Sequence, residues 1–330
     1  MLRFPLAILV VFVHGFGADI DVSELHASGL TGLAAENGAI RRTHWFNEEL
    51  FPDCRKFWNY NTFNTDVINL GSTSGYYAFD YEGLPIKGGN FALRHNPLSG
   101  DQAILKNYFG YLNPKGSHVI IPLCVFSSLA GSYDFMEDRF YTLIYPSSIP
   151  HFSYRRQQQI KAIAASPIRR FPLWSFYTEL RAQLRGTGHS TLTEEQMKAD
   201  AERWIKGWKH EFALSDFSQP LSLINQDGLK DASFILNDMI SFCKERDIKP
   251  VLVLPPMYHT LASKFDINAR KVLLDDLLKT LDDKTVKFIN YMDDSRFSHD
   301  ITLFQDSFLL NKKGAKMFTK IVLHDIGLLK

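Results

Sequence analysis

The chain alternates short, continuous apolar runs with longer segments in which apolar residues recur every three or four positions. The apolar runs have the length of strands and cover residues 67–70, 118–121, 251–254 and 286–290. The periodic segments predict helices at residues 101–112, 231–246, 268–281 and 312–328, the last capped by Asn311. Continuous apolar runs are typical of strands that are covered on both faces. The alternation therefore predicts an α/β fold, with a doubly wound, mainly parallel sheet flanked by helices.

The stretch of residues 127–219 interrupts this alternation. It is rich in proline, serine and aromatic residues and then, at residues 193–210, in charged residues of helical pattern. A segment of this length is not a plain connection between two elements. We interpret it as a helical insertion within one α/β domain that covers residues 60–330.

Residues 1–18 differ in composition from the rest of the chain. Arg3 precedes an apolar run at residues 4–13, which is shorter than the roughly 20 residues of a membrane-spanning helix. This run suits the core of a signal peptide or an N-terminal anchor, and an apolar helix packed on the domain is the alternative. Residues 19–59 are interpreted as a linker or N-terminal extension.

The amino-acid composition excludes few classes of function. A net charge of +1 gives no general attraction to nucleic acid, so we expect no nucleic-acid partner. The 26 Phe and 13 Tyr residues fit a sugar-binding surface, although a large core explains them more simply. The 3 cysteines lack metal-binding spacing, and Cys124 and Cys243 are expected to be buried thiols. We expect no metal and no cofactor.

The turn after the first predicted strand is the first candidate for chemistry. It reads Gly71-Ser72-Thr73-Ser74-Gly75 and precedes a helix predicted to begin near Tyr76. In an open parallel sheet the site lies outside the carboxyl ends of the strands. A hydroxyl at such a turn lies where backbone N–H groups can stabilise a developing oxyanion. A serine- and threonine-rich turn is also common without chemistry, so this motif is weak when taken alone.

The segment before the last predicted helix supplies a second motif, Asp306-Ser-Phe-Leu-Leu-Asn-Lys-Lys-Gly314. Together with the 71–75 turn, it resembles the Ser-Gly-Asn-His (SGNH/GDSL) hydrolases, whose last block reads Asp-x-x-His-Leu-Asn-x-x-Gly. The resemblance covers residues 60–330 and is greatest to a branch found beside bacterial surface-polysaccharide genes. It implies a flavodoxin-like three-layer fold and acyl-ester hydrolysis or O-acyl transfer on a glycan. Two departures fall on the catalytic triad, because Leu309 replaces the histidine and Thr73 takes the nucleophile position.

The resemblance also assigns roles to individual residues. Ser72 or Thr73 is implied as the nucleophile, with Ser74 as the option in a shifted register, and Asp306 is implied as the orienting acid. The implied oxyanion and substrate-binding groups are Gly71, Gly89, Asn90 and Asn311. Gly89 and Asn90 follow the strand-like residues 84–87, and Asn90 is equally well explained as a turn residue. Asp306 and Asn311 also have a structural explanation, as turn and helix-cap residues.

The proton carrier has to come from elsewhere in the chain, because a leucine cannot carry a proton. His259 follows Pro255-Pro256-Met257-Tyr258 at a predicted strand end and is the best-placed histidine. A surface histidine at a strand end is the plainer interpretation of the same residue. His299 is a weaker candidate because it precedes the motif turn.

The N-terminal residues carry a second resemblance. Leu2-Arg3-Phe4 and the later Val10-Val11-Phe12-Val13-His14 resemble the opening of the first membrane helix of the acyltransferase-3 family, which acetylates surface polysaccharides. In that family an Arg and a His frame this helix. The resemblance covers residues 1–35 and implies membrane association at the N-terminus and a membrane acyltransferase as a partner.

Two functional hypotheses follow. The first is a cell-envelope protein, extracytoplasmic or membrane-associated, that hydrolyses or transfers acyl groups on a polysaccharide; a cytoplasmic location is the alternative. The second is a catalytically inactive module of the same fold that binds an acylated glycan or assists a partner acyltransferase. The missing histidine favours the second hypothesis, whereas Asp306, Asn311 and the hydroxyl-rich turn favour the first.

Overall fold

The computed structural model describes residues 54, 56–57, 62–129, 138–149, 152–165 and 192–330. The predictions for residues 1–18 and for nearly all of residues 19–59 therefore lie outside the described residues. The described strands are β1 (Val67–Asn69), β2 (Gly88–Asn90), β3 (His118–Pro122), β4 (Lys249–Leu254) and β5 (Lys287–Asn290).

The described helices are named here in chain order. The first five are α1 (Thr73–Ala78), α2 (Leu98–Tyr108), α3 (Phe140–Leu143), α4 (Tyr154–Ala165) and α5 (Glu194–Glu211). The others are α6 (Leu223–Lys244), α7 (His259–Ala262), α8 (Ile267–Arg270), α9 (Asp276–Lys279) and α10 (Lys312–Asp325). Short 3₁₀ turns occupy Phe109–Tyr111, Pro146–Ser148 and Ile301–Leu303. A π-helical segment, Lys271–Asp275, joins α8 to α9.

The five strands form one parallel sheet in the order β2-β1-β3-β4-β5. Ile68 of β1 lies between Gly89 and Val119, which belong to its two neighbours β2 and β3. On the other side of β3, Ile120 pairs with Val251 of β4. This topology confirms the predicted doubly wound α/β fold.

Strand side chains alternate between two hydrophobic clusters, one on each face of the sheet. Ile68, Val119 and Leu252 face the cluster that α2 and α6 cover. Val67, Ile120 and Val251 face the cluster that includes Phe318 and Val322 of α10. Burial on both faces explains why the strands read as continuous apolar runs.

The structure corrects several predicted boundaries. The strand-like residues 84–87 do not form a strand; β2 is Gly88–Asn90, which glycine's low strand propensity hid from the sequence pattern. Helix α6 begins at Leu223 rather than residue 231, because its first turn exposes Leu223 and Ile224 and breaks the apolar period. Helix α1 begins at Thr73 rather than near Tyr76.

Helix α5 lies within the predicted insertion. It begins with a capping box, in which the Thr193 hydroxyl accepts from Gln196 N and the Gln196 side chain accepts from Thr193 N. Ala201 and Trp208 of this helix belong to one core cluster, whereas Met197 belongs to the other. The helix is therefore packed into the core of the domain at the end of the sheet.

Candidate functional site

A cavity of about 440 Å³ lies at the carboxyl ends of β1 and β3. The chain order places β2 on one side of β1 and β3 on the other, so this is the point at which the winding of the sheet reverses. Ligands of open α/β sheets bind at such a point. The cavity volume falls in the range of about 300–1,000 Å³ that is usual for small-molecule sites.

The hydroxyl-rich turn forms one part of the cavity lining. Ser72, Thr73 and Ser74 all contribute to it. The backbone N–H of His95 donates a hydrogen bond to Thr73 Oγ1 over 3.1 Å. Gly71 has φ +118°, and a Cβ at this position would lie 3.2 Å from Pro122, so the turn requires glycine.

Asp101 of α2 holds this turn in place through hydrogen bonds to its carboxylate. Its Oδ1 accepts from Gly71 N at 3.0 Å and from Asn96 Nδ2 at 2.5 Å. Burial raises the pKa of Asp101 to about 7, although these two hydrogen bonds and the charges of Lys56 and Arg139 lower it. The Gly71 N–H is therefore bound to Asp101 and does not serve as a donor toward the cavity.

Aromatic side chains form a second part of the lining. Trp204 and Trp208 of α5 stack with ring centroids 5.2 Å apart. Phe308 meets both, at 5.1 Å from Trp204 and 5.0 Å from Trp208. Trp208 also packs against Phe126, which follows β3. Together these rings form an apolar wall of the cavity.

Residues 306–314 form a turn and a helix cap. Asp306 Oδ1 accepts from Phe308 N at 2.9 Å and from Leu309 N at 2.8 Å. Burial raises the pKa of Asp306 to about 6, against the effect of these two hydrogen bonds. Asn311 caps α10 by accepting from Gly314 N at 3.0 Å. The predicted N-cap role of Asn311 is thus confirmed.

Leu309, at the position where the SGNH pattern has its histidine, does not line the cavity. Leu309 is buried, with 6% of its surface exposed, and is not among the cavity-lining residues. Phe308 is the residue of this segment that lines the cavity. Asp306 and Asn311 do not line it either.

His259 lies in a separate cluster. Its Nε2 is 3.0 Å from Glu194 Oε1, and its ring stacks on His299 with centroids 4.8 Å apart. The Tyr258 hydroxyl also donates to Glu194. This cluster joins the start of α5 to the loop after β4, and neither histidine lines the cavity.

Asn90 connects α1 to β2. Its Nδ2 donates to the carbonyls of Tyr76 and Phe79, each at 2.9 Å. Its Oδ1 accepts from Asn69 Nδ2 and from the backbone N–H of Ala92, each at 3.1 Å. Neither Asn90 nor its neighbour Gly89 lines the cavity. Of the predicted site residues, Ser72, Thr73 and the alternative Ser74 do so.

Sequence reasoning missed the remaining polar lining. His95, Asn96 and Asp101 come from the segment that leads into α2. The Asn96-Pro97 pair is a helix-start signal, and His95 has φ 55°, which marks a tight turn. The two tryptophans, four positions apart on a predicted helix, could have been recognised as one face. Cys124 is also in the lining and is only partly buried, contrary to prediction.

The lining offers hydroxyls, an amide, carboxylates and aromatic faces. His95 is the imidazole among the described lining residues, and no hydrogen bond joins its ring to a described carboxylate. Within the described ranges, no group of three or more His, Cys, Asp or Glu residues is arranged to hold a metal ion. The described part of the site is equipped to bind polar groups and flat apolar faces.

Comparison with known protein families and curated proteins finds no relative of this chain. No family model matches the chain, and a search of curated proteins finds no similar sequence. Among the helices that the structure describes, none combines the length and apolar character needed to cross a membrane.

Proposed function

We propose that this protein binds a glycan in the cavity beside β1 and β3, as an SGNH-like module without triad hydrolysis. One observation carries the proposal. Phe308, from the segment that would hold the catalytic histidine, packs edge-to-face against Trp204 and Trp208 in the lining, while Asp306 binds backbone N–H groups. The segment contributes an aromatic face to the cavity in place of a proton carrier.

The chemistry of the lining supports a sugar as the ligand. The C–H face of a sugar ring packs against an aromatic ring, and its hydroxyls exchange hydrogen bonds with small polar groups. The cavity combines the Trp204 and Trp208 rings with the hydroxyls of Ser72 and Ser74. A few placed polar groups in a mainly apolar cavity are what orient a small ligand.

The biological setting of this binding follows from the two resemblances. We place the protein in the cell envelope, associated with the membrane or outside it, where it binds an acylated polysaccharide and assists a membrane acyltransferase. The resemblance to polysaccharide-linked SGNH proteins and the N-terminal resemblance to acyltransferase-3 proteins support this setting.

Binding can be tested through the intrinsic fluorescence of the cavity tryptophans and by calorimetry. The ligands are neutral, acidic and amine-bearing oligosaccharides, each with and without O-acetyl groups. We expect at least one class to bind, and Trp204→Ala to weaken its binding about tenfold or more, as for an aromatic anchor. Phe234→Ala is the matched control, because Phe234 is 73% exposed on α6 and does not line the cavity.

Two outcomes would reject the binding function. One is the absence of a calorimetric signal for every oligosaccharide class, with the protein folded by circular dichroism. The other is an unchanged affinity in the Trp204→Ala protein.

A second candidate, acyl-ester hydrolysis, is favoured by the position of His95. This histidine lies in the same lining as Thr73, and its backbone N–H donates to Thr73 Oγ1, which leaves the hydroxyl proton free for a base. Hydrolysis of p-nitrophenyl acetate by the purified protein tests it, with Ser72→Ala, Thr73→Ala and His95→Ala. Turnover that all three substitutions leave unchanged would exclude this candidate.

A further inference from the structure

The cavity carries an acidic group that glycan binding as such does not require. Glu211, the last residue of α5, lines it. No Lys or Arg side chain is among the described residues that line the cavity. The acidic lining residues are Glu211 and Asp101, and the two differ in burial and in protonation.

Asp101 contributes less negative charge to the cavity than Glu211 does. It is buried, and its pKa is raised to about 7, so it carries a proton for part of the time near neutral pH. The positive charges of Lys56 and Arg139 also act on it. Glu211 is exposed, and no described residue forms an ion pair with it.

The charge of Glu211 reaches into the cavity. Burial is the main cause that raises the pKa of the Cys124 thiol, and the negative charge of Glu211 raises it further. Cys124 follows β3 and lines the same cavity. The carboxylate of Glu211 therefore acts on the interior of the site as well as on the solvent.

Helix geometry places this carboxylate in line with the aromatic wall. Trp204, Trp208 and Glu211 stand at positions i, i+4 and i+7 of α5, which share one face of a helix. Seven residues of helix span about 10 Å along the axis. A ligand of two or more sugar units can thus cover both the rings and the carboxylate.

Building on the proposed glycan binding, we infer that the cavity selects a glycan with a free amine, whose ammonium group pairs with Glu211. The sugar ring lies against Trp204 and Trp208. A uronic acid or a phosphate-bearing sugar would be repelled by the Glu211 carboxylate. No Lys or Arg side chain in the described lining would offset this repulsion.

Three tetrasaccharides test this selectivity by calorimetry at low salt. They are a glucosamine tetramer, its N-acetylated counterpart and a galacturonic acid tetramer. We expect the wild-type protein to bind the glucosamine tetramer about fivefold more tightly than the N-acetylated one, as for an exposed ion pair. The galacturonic acid tetramer should bind most weakly.

Substitutions on α5 assign the preference to one carboxylate. Glu211→Gln should abolish the preference for the amine and leave the affinity for the N-acetylated tetramer unchanged. Glu202→Gln is the control, because Glu202 is exposed on the same helix but does not line the cavity, and it should leave both affinities unchanged.

The outcomes separate this inference from the proposed function. Binding of the N-acetylated tetramer with no preference for the amine overturns the selectivity alone, as does a preference that survives Glu211→Gln. Failure of all oligosaccharides to bind overturns both the glycan-binding proposal and the selectivity built on it.

Discussion

Asp101 and Asp306 use their carboxyl groups to hold the chain around the cavity. One oxygen of Asp101 accepts from Gly71 N and the Asn96 amide, and one oxygen of Asp306 accepts from Phe308 N and Leu309 N. Burial raises the pKa of both groups, to about 7 and about 6 respectively. Both carboxyls therefore bind a proton more tightly in the folded chain than in the unfolded one.

This difference in pKa makes stability depend on pH. A raised folded pKa contributes stability below the unfolded pKa of about 4, and that contribution is lost as pH rises through the folded pKa. For Asp101 the loss falls between about pH 4 and 7, and is on the order of 4 kcal/mol. Asp101→Asn keeps an acceptor oxygen and cannot ionise, so its stability should fall less over this window. Urea unfolding of both proteins at several pH values measures the difference, and parallel curves would contradict it.

Introducing a histidine at position 309, where the SGNH pattern has one, should not create hydrolysis. Leu309 is buried and outside the cavity lining, and the Asp306 oxygen is occupied by two backbone N–H groups. We expect Leu309→His to hydrolyse p-nitrophenyl acetate no faster than wild type and to lose about 1–3 kcal/mol of stability from the buried polar ring. A gain of turnover that Thr73→Ala removes would show that the site is latent.

At the scale of elements, α5 brings the aromatic and acidic groups to the site. It is fixed to the 306–309 turn by Asp200, whose Oδ2 accepts from Ser307 N at 3.0 Å and from Ser307 Oγ at 2.7 Å. Arg203 pairs with the other oxygen of Asp200 at 2.6 Å. Ser307 is fully buried, so its donors have no access to water.

Removing the Asp200 carboxylate should loosen α5. Asp200→Ala leaves the buried Ser307 N–H and hydroxyl without this acceptor, which we expect to cost about 1–3 kcal/mol of unfolding free energy. Amide hydrogen exchange along α5 should accelerate. Glu202→Ala, on an exposed position of the same helix, serves as the comparison, and equal exchange in the two variants would contradict the anchoring role.

The sequence predicts the elements whose apolar pattern reports burial on both sheet faces. The runs at residues 67–70, 118–121, 251–254 and 286–290 all correspond to strands. Strand β2 was not predicted, because Gly88 has no side chain to contribute to an apolar pattern. A Cβ at this position would lie 2.1 Å from the Tyr81 ring. Packing against a neighbouring ring, which no local pattern records, selects glycine at this position.

The site was predictable only where it lies next to a strand end. Ser72 and Thr73 follow β1 directly, so the position of the strand gives their location. Trp204 and Asp101 reach the cavity through the packing of α5 and α2, which depends on contacts distant in sequence. His259 also follows a strand end, yet its pairing with Glu194 directs it to a different cluster.

At the scale of the whole molecule, helix α5, which lines the cavity, is also part of the hydrophobic core. Trp208 is only 7% exposed and belongs to the same hydrophobic cluster as Ile68 and Leu252 of the sheet. The helix that carries it therefore cannot leave the domain without exposing core surface. Access to the cavity has to occur around α5 with the helix in place.

This shared core gives Trp208 a structural role in addition to its place in the cavity lining. Trp208→Ala should lower the unfolding free energy of the domain by about 3–5 kcal/mol, as for a large core side chain. Phe234→Ala, at an exposed position, should stay within about 0.5 kcal/mol of wild type. Chemical denaturation gives both values. A Trp208→Ala protein of wild-type stability would mean that α5 is not part of the core.

The hydrogen bonds of Asp306 and Asn311 bear on how such chains are recognised. Asp306 closes the turn, and Asn311 caps α10 and donates to the carbonyls of Thr302 and Phe304. Folding alone is enough to explain both residues, whether or not a histidine lies between them. A motif search that scores the Asp and the Asn therefore scores residues that stabilise a turn and a helix start, and it will match chains with and without the histidine.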